Sequence, residues 1–141
     1  MFASGSVASD ALWAVVGDPW RLPEWTDVES VAHVRPEPPQ VGTQIETVEA
    51  GTTRVWRLTT RESRLFEMTT TTERGTLDIG CRVVRDNRGG SRIILAAGLE
   101  RSGLRTRLFD VPALRRRMDR WATTALEIAA MSAEQGAKDD Q

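Results

Sequence analysis

The hydrophobic pattern of this 141-residue chain has a period of two over residues 28–99 and a helical period after them. Between residues 28 and 99, apolar and polar residues alternate, most clearly where Leu77, Ile79, Cys81 and Val83 share one parity. Alternation puts every second side chain on the same face of a β-strand. This long segment therefore predicts a sheet with one apolar face, which needs a cover from another part of the chain.

A long helix is predicted after the sheet. The residues Leu114, Met118, Trp121, Ala125 and Ile128 repeat at spacings of four and three. Such spacing forms one apolar stripe along an α-helix. We expect this helix to cover residues 111 to about 133.

The strands are divided by turn-forming residues. Proline, glycine and asparagine clusters separate the alternating segments, and the short connections favour an antiparallel meander. Six strands are predicted in this region, at residues 28–34, 43–49, 54–61, 65–72, 76–84 and 92–100.

Two short helices are predicted after a strand at residues 2–7. Ser9 is suited to cap a helix over residues 10–16, and Gly17 to end it. Asp18 and Pro19 then favour a second short helical turn that ends before Trp25. We expect one domain over residues 1–133, because its length is typical of a single domain, followed by a polar, disordered tail at 134–141.

The charges of the chain almost cancel, since 19 basic and 20 acidic residues give a net charge of −1. This balance argues against a nucleic-acid-binding protein, which usually has a strong basic excess. No apolar run is long enough for a transmembrane helix. One cysteine cannot form an internal disulfide, which favours a reducing compartment, and we expect a cytoplasmic protein.

Three short motifs resemble those of the START-like (SRPBCC) superfamily, in its polyketide cyclase/dehydrase and lipid-transport group. The first is the helix–turn–tryptophan pattern of residues 9–25, the second is Val41-Gly42-Thr43, and the third covers residues 89–93. The resemblance extends from Val7 to about Met131.

The resemblance implies an α+β helix-grip fold, as in the birch-pollen allergen. In this fold a curved seven-stranded antiparallel sheet wraps around a long C-terminal helix, with two short helices after the first strand. A cavity between sheet and helix is implied, and it would take a hydrophobic small molecule such as a lipid, a quinone or a polyketide-like compound.

Several large apolar side chains are candidates for the wall of this cavity. They alternate on adjacent predicted strands and can face the stripe of the long helix, although ordinary core packing would produce the same pattern. The predicted ligand-binding residues are Trp25, Trp56, Leu58, Phe66, Met68, Ile79, Leu95, Met118 and Trp121.

Catalytic and metal-binding chemistry has little support in the sequence. The only histidine, His33, lacks a recognisable triad pattern, and one histidine with one cysteine cannot form the usual zinc ligand set. We expect Cys81 to pack in the core as an inert thiol, and we expect no metal and no cofactor. Catalytic residues are not identified, and the pattern leaves open whether His33, Glu46, Arg57, Glu67 and Arg82 face inward.

The predicted function is binding or transport of a hydrophobic small molecule. Two alternatives stay open: a polyketide cyclase/aromatase-type enzyme, and a protein-interaction module. The run Arg115, Arg116 and Arg117 is either a solvated helix face or an anion-attracting rim for an acidic partner or an anionic headgroup.

Overall fold

The computed structural model describes the backbone of residues 2–139 and the side chains of residues 4–108 and 110–134. The strands in that part of the chain are β1 Phe2–Gly5, β2 Ser30–Arg35, β3 Gln44–Glu49, β4 Thr52–Glu62, β5 Leu65–Thr72, β6 Gly75–Arg85, β7 Ser91–Arg101 and β8 Leu104–Arg107. The α-helices are α1 Ser9–Val16, α2 Leu22–Trp25 and α3 Pro112–Asp139. Two 3-10 turns, Pro19–Arg21 and Leu108–Asp110, precede α2 and α3.

All the strand pairs in the sheet are antiparallel. The order is β1-β7-β6-β5-β4-β3-β2, and β8 also pairs with β7. Because β6 occupies one edge of β7, β1 and β8 share the other edge, β1 beside residues 91–94 and β8 beside residues 98–101. The six central strands thus form the meander that the short connections predict.

The register aligns large apolar side chains in rows across one face of the sheet. Phe66 on β5 pairs with Cys81 on β6, which pairs with Leu95 on β7, and all three are buried. Ile45 and Trp56 form a similar buried pair between β3 and β4. Cross-strand pairs of this kind stabilise a sheet and give it one continuous apolar surface.

The helix α3 covers this apolar surface. It packs most extensively against α1 and also contacts α2, β1 and β7. Three small residues on one of its faces, Ala122, Ala125 and Ala129, are fully buried. Since an alanine side chain is short, this face of α3 can lie close to the elements that it covers. No helix in the described residues has the length and apolar character needed to cross a membrane.

The predicted α+β helix-grip architecture is confirmed, with three differences in detail. Ser9 is the first residue of α1 and Ala8 is its N-cap, while the Ser9 hydroxyl accepts a hydrogen bond from Arg85 Nε at 3.3 Å. The helix α3 starts at Pro112 and continues to Asp139, which takes it into the segment 134–141 where the sequence predicts a disordered tail. The extent of the domain stays a prediction.

The third difference is the strand β8, which the sequence analysis did not predict. All four of its residues are exposed. The strand therefore lacks the alternation of buried apolar and exposed polar residues by which a sequence indicates a strand. It is held by its backbone pairing with β7 and by Arg105, whose guanidinium lies 2.8 Å from the Asp78 carboxylate on β6.

Two of the motifs that carried the resemblance form buried hydrogen bonds. The Thr43 hydroxyl donates to the Pro36 carbonyl and accepts from the Gln40 amide, both at 3.0 Å. Ser91 donates to the Val7 carbonyl at 2.7 Å. These contacts hold the connection before β3 and the end of the β1 segment, so each motif has a local structural role.

The turn between β5 and β6 requires glycine at position 75. Gly75 has a φ of +135°, and an added Cβ would lie 2.2 Å from the Glu100 carbonyl oxygen. Gly51 also has a positive φ, +76°, but nothing lies within 4 Å of an added Cβ. We expect Gly75→Ala to lower the free energy of unfolding by about 3 kcal/mol and Gly51→Ala by only about 1 kcal/mol, because the first adds a backbone clash to the strained φ.

Urea denaturation followed by circular dichroism measures both losses on the same scale. Equal losses for the two variants would contradict the close approach of Gly75 to Glu100.

Candidate ligand-binding cavity

A cavity lies between the apolar face of the sheet, the helix α2 and the first half of α3. Its volume is about 30 Å³, and the empty space that includes its open mouth is about 490 Å³. Eight of the nine predicted ligand-binding residues line it: Trp25, Trp56, Phe66, Met68, Ile79, Leu95, Met118 and Trp121. Ligand binding by them stays a prediction.

The ninth predicted residue, Leu58, lines a second and smaller cavity of about 10 Å³. Phe66 and Met68 line both cavities and so form part of the partition between them. Arg61 also lines the smaller cavity: its Nη1 donates to the Gly17 carbonyl at 2.6 Å, and its guanidinium lies 4.9 Å from the centre of the Trp13 ring. Burial lowers the pKa of Arg61.

Five further residues line the main cavity and were missed by the sequence analysis: Leu22, Thr26, Asp27, Val28 and Glu49. The first four lie within three positions of Trp25 in the chain, so the predicted place of Trp25 was a usable signal for them. No local pattern distinguishes Glu49, which lies at the end of β3.

The described lining residues of the cavity include two carboxylates, the exposed Asp27 and the partly buried Glu49. Asp27 Oδ2 lies 3.1 Å from Arg117 Nε, and both side chains are nearly half exposed. This ion pair joins the segment after α2 to the first half of α3. An exposed pair of this kind contributes little to stability, about 0–1 kcal/mol, so it holds the two segments together only weakly.

Some polar groups of the residues that line the cavity have a hydrogen-bond partner, and others have none. The Trp56 indole N–H donates to Thr47 Oγ1 at 3.2 Å, and the Thr26 hydroxyl donates to the Leu22 carbonyl at 2.6 Å. The indole N–H groups of Trp25 and Trp121 are buried and have no hydrogen-bond partner in the structure. Two donors in the cavity wall therefore lack an acceptor.

The ionisable strand residues whose orientation the sequence left open do not line either cavity. His33, Arg57, Glu67 and Arg82 are exposed, and Glu46 is half-buried beside His33, with 3.6 Å between the carboxylate and the imidazole Nε2. Among the described residues, no group of three or more histidine, cysteine or acidic side chains is arranged to hold a metal ion.

Cys81 is buried in the sheet, 1% exposed, and burial raises the pKa of its thiol. A thiol that stays protonated reacts slowly, because the thiolate is the nucleophile. The position agrees with the predicted role of Cys81 in core packing.

We expect Cys81 in the folded protein to resist alkylation by iodoacetamide at pH 8 for hours, and to react within minutes in 6 M guanidinium. Intact-mass spectrometry over time follows the modification. Rapid labelling of the folded protein would show that the strand opens or that the thiol is ionised, contrary to its burial.

The fold has solved relatives that share little sequence with this chain. The protein XoxI from Bacillus cereus superposes with a TM-score of 0.67 at 10% identity, covering 89% of each chain. Ara h 8.0201 gives a TM-score of 0.64 at 13% identity, covering 93% of this chain and 95% of its own. No protein-family model and no curated protein matches the sequence.

A third similar structure is the di-domain ARO/CYC StfQ from the steffimycin biosynthetic pathway. Its TM-score is 0.63 at 12% identity, and the match covers 95% of this chain but 45% of StfQ. At these identities the likeness is one of fold. It confirms the fold that the resemblance in the sequence implies: this protein has the helix-grip fold.

Proposed function

We propose that this protein binds a hydrophobic small molecule, such as a lipid, a quinone or a polyketide-like compound, in the cavity between the sheet and α3. The observation that carries the proposal is that eight side chains predicted from the sequence as ligand-binding residues line one cavity. A largely apolar cavity with a few polar groups is the usual geometry of a small-molecule site.

The cavity must widen before it can hold such a ligand. Its volume of about 30 Å³ has room for only one or two water molecules. Met68 and Met118 lie in its wall, and methionine side chains adapt readily to a new shape. The exposed Asp27–Arg117 ion pair opposes widening of the cavity only weakly. We therefore expect the first half of α3 and the segment after α2 to separate when a ligand enters.

A cyclase or aromatase function has one observation in its favour, the likeness in fold to StfQ. Such chemistry uses positioned acids and bases. In the described part of the chain the main cavity offers only Asp27, which is paired with Arg117, and Glu49. We therefore favour binding, and a cytoplasmic location remains part of the proposal.

Filling the cavity tests the proposal directly. Ile79 is half-buried in the cavity wall on β6, whereas Val55 is 50% exposed on β4 and lines neither cavity. We expect Ile79→Phe to weaken binding of the neutral dye Nile red about tenfold, which corresponds to about 1.4 kcal/mol. Val55→Phe adds the same side chain outside and should leave binding unchanged.

Fluorescence titration measures the two affinities, and thermal unfolding checks that both variants remain folded. Equal affinities for folded Ile79→Phe and Val55→Phe would place the dye elsewhere and overturn the proposed site. Native mass spectrometry of protein purified from its own host would then identify a retained ligand, if this is present.

The arginines at the start of α3 can attract an anionic probe to the protein surface, whatever the chemistry of the natural ligand. Arg115 and Arg116 are exposed, while Arg117 is engaged with Asp27. We expect the double variant Arg115→Gln/Arg116→Gln to bind dodecanoate about three- to fivefold more weakly than the parent at 20 mM salt. The difference should vanish at 500 mM salt, because ions screen exposed charges.

Dodecanol is the matched neutral ligand, and its affinity should be the same for both proteins at either salt concentration. A salt-independent loss, or an equal loss for dodecanol, would mean that these arginines act through the structure of α3 rather than through charge.

A further inference from the structure

We infer that the ligand carries a neutral hydrogen-bond acceptor of the carbonyl type, which accepts from the indole N–H groups of Trp25 and Trp121. The inference rests on the proposed function, because it concerns the same cavity. It adds the chemical class of the ligand: an apolar body with a ketone, quinone or ester oxygen, rather than a pure hydrocarbon or a carboxylate.

The first step is the burial of two donors without acceptors. Both Trp25 and Trp121 line the main cavity, and both Nε1 atoms are buried with no partner in the structure. A buried donor left unpaired costs about 1–3 kcal/mol. Two such donors in one cavity wall mean that a ligand oxygen there would recover energy that the empty protein lacks.

The second step is that the other polar groups nearby are already engaged. The Trp56 indole donates to Thr47, and the Thr26 hydroxyl both donates to the Leu22 carbonyl and accepts from the Val28 amide at 3.2 Å. Neither the Trp56 N–H nor the Thr26 O–H is therefore free for a ligand. Apart from the carboxylates of Asp27 and Glu49, the unpaired buried side-chain groups of the described lining residues are the two indole donors, and these match an acceptor.

The third step concerns charge. Two carboxylates, those of Asp27 and Glu49, are among the described lining residues, and Asp27 is paired with Arg117. No cationic side chain lines this cavity in the described residues. An ionised carboxylate in its interior would lose its hydration without gaining a counter-ion, which is costly. A neutral carbonyl meets the two indoles without that cost.

Three compounds of nearly the same shape separate the classes: 2-acetylnaphthalene, 2-isopropylnaphthalene and 2-naphthoate. The first has a ketone, the second replaces it with a hydrocarbon, and the third is an anion. The measurement is the ratio of the dissociation constants of ketone and hydrocarbon, obtained by displacement of Nile red, because the ratio cancels changes in packing.

We expect Trp25→Phe and Trp121→Phe each to shift this ratio about five- to tenfold against the ketone, since each removes one donor and keeps an aromatic ring. Trp56→Phe is the matched control, because its N–H is already bonded to Thr47. It should leave the ratio unchanged even if it weakens all three compounds. The indole N–H signals of Trp25 and Trp121 in ¹⁵N NMR spectra should also move downfield with the ketone and not with the hydrocarbon.

The outcomes distinguish the two proposals. Binding of ketone and hydrocarbon with the same ratio in all three variants would overturn the acceptor inference and leave the binding function standing. Tighter binding of 2-naphthoate than of the ketone would also overturn it. Failure of all three compounds and of Nile red to bind at micromolar concentration would overturn the proposed function itself.

Discussion

One helix covers the apolar face of a curved sheet, and the side chains along that helix decide where the interior is filled. Ala122, Ala125 and Ala129 are fully buried, so this face of α3 can approach its neighbours closely. Met118 and Trp121, nearer its start, line the cavity instead. The cavity thus lies beside the part of α3 that carries the large side chains, and the alanines lie in the closely packed part.

Hydrogen bonding also differs between the closely packed interior and the cavity. Where elements pack closely, buried hydroxyls find backbone partners: Thr43 bonds to Pro36, and Ser91 bonds to Val7. Buried polar groups in folded proteins are almost always paired in this way. In the described residues, the two exceptions are the indole nitrogens of Trp25 and Trp121, and both residues lie in the cavity wall. The two indole donors without an acceptor thus belong to residues beside the larger space that the side chains leave unfilled.

Alternation and helix spacing predict most of this fold, because side-chain periodicity follows directly from backbone geometry. The exposed strand β8 cannot be predicted in this way, because it depends on the contact of Arg105 with Asp78, which is distant in sequence. Within the site, alternation shows on which face of the sheet a residue lies. It does not show which of the two cavities on that face the residue lines. Leu58 shares the inner face with Met68, yet the partition that includes Phe66 leaves it in the smaller cavity. Unpaired indoles are also invisible to the sequence, because pairing depends on tertiary neighbours.

The distribution of charge bears on the choice between binding and catalysis. The described lining of the main cavity includes two carboxylates, Asp27 and Glu49, and Asp27 is paired with Arg117. The other lining residues are apolar side chains, three indoles and one threonine. An acid or base that acts on a ligand must reach the proton that it transfers. Because Arg117 already engages Asp27, a ligand in this cavity would meet one carboxylate, Glu49, that has no ion pair among the described residues.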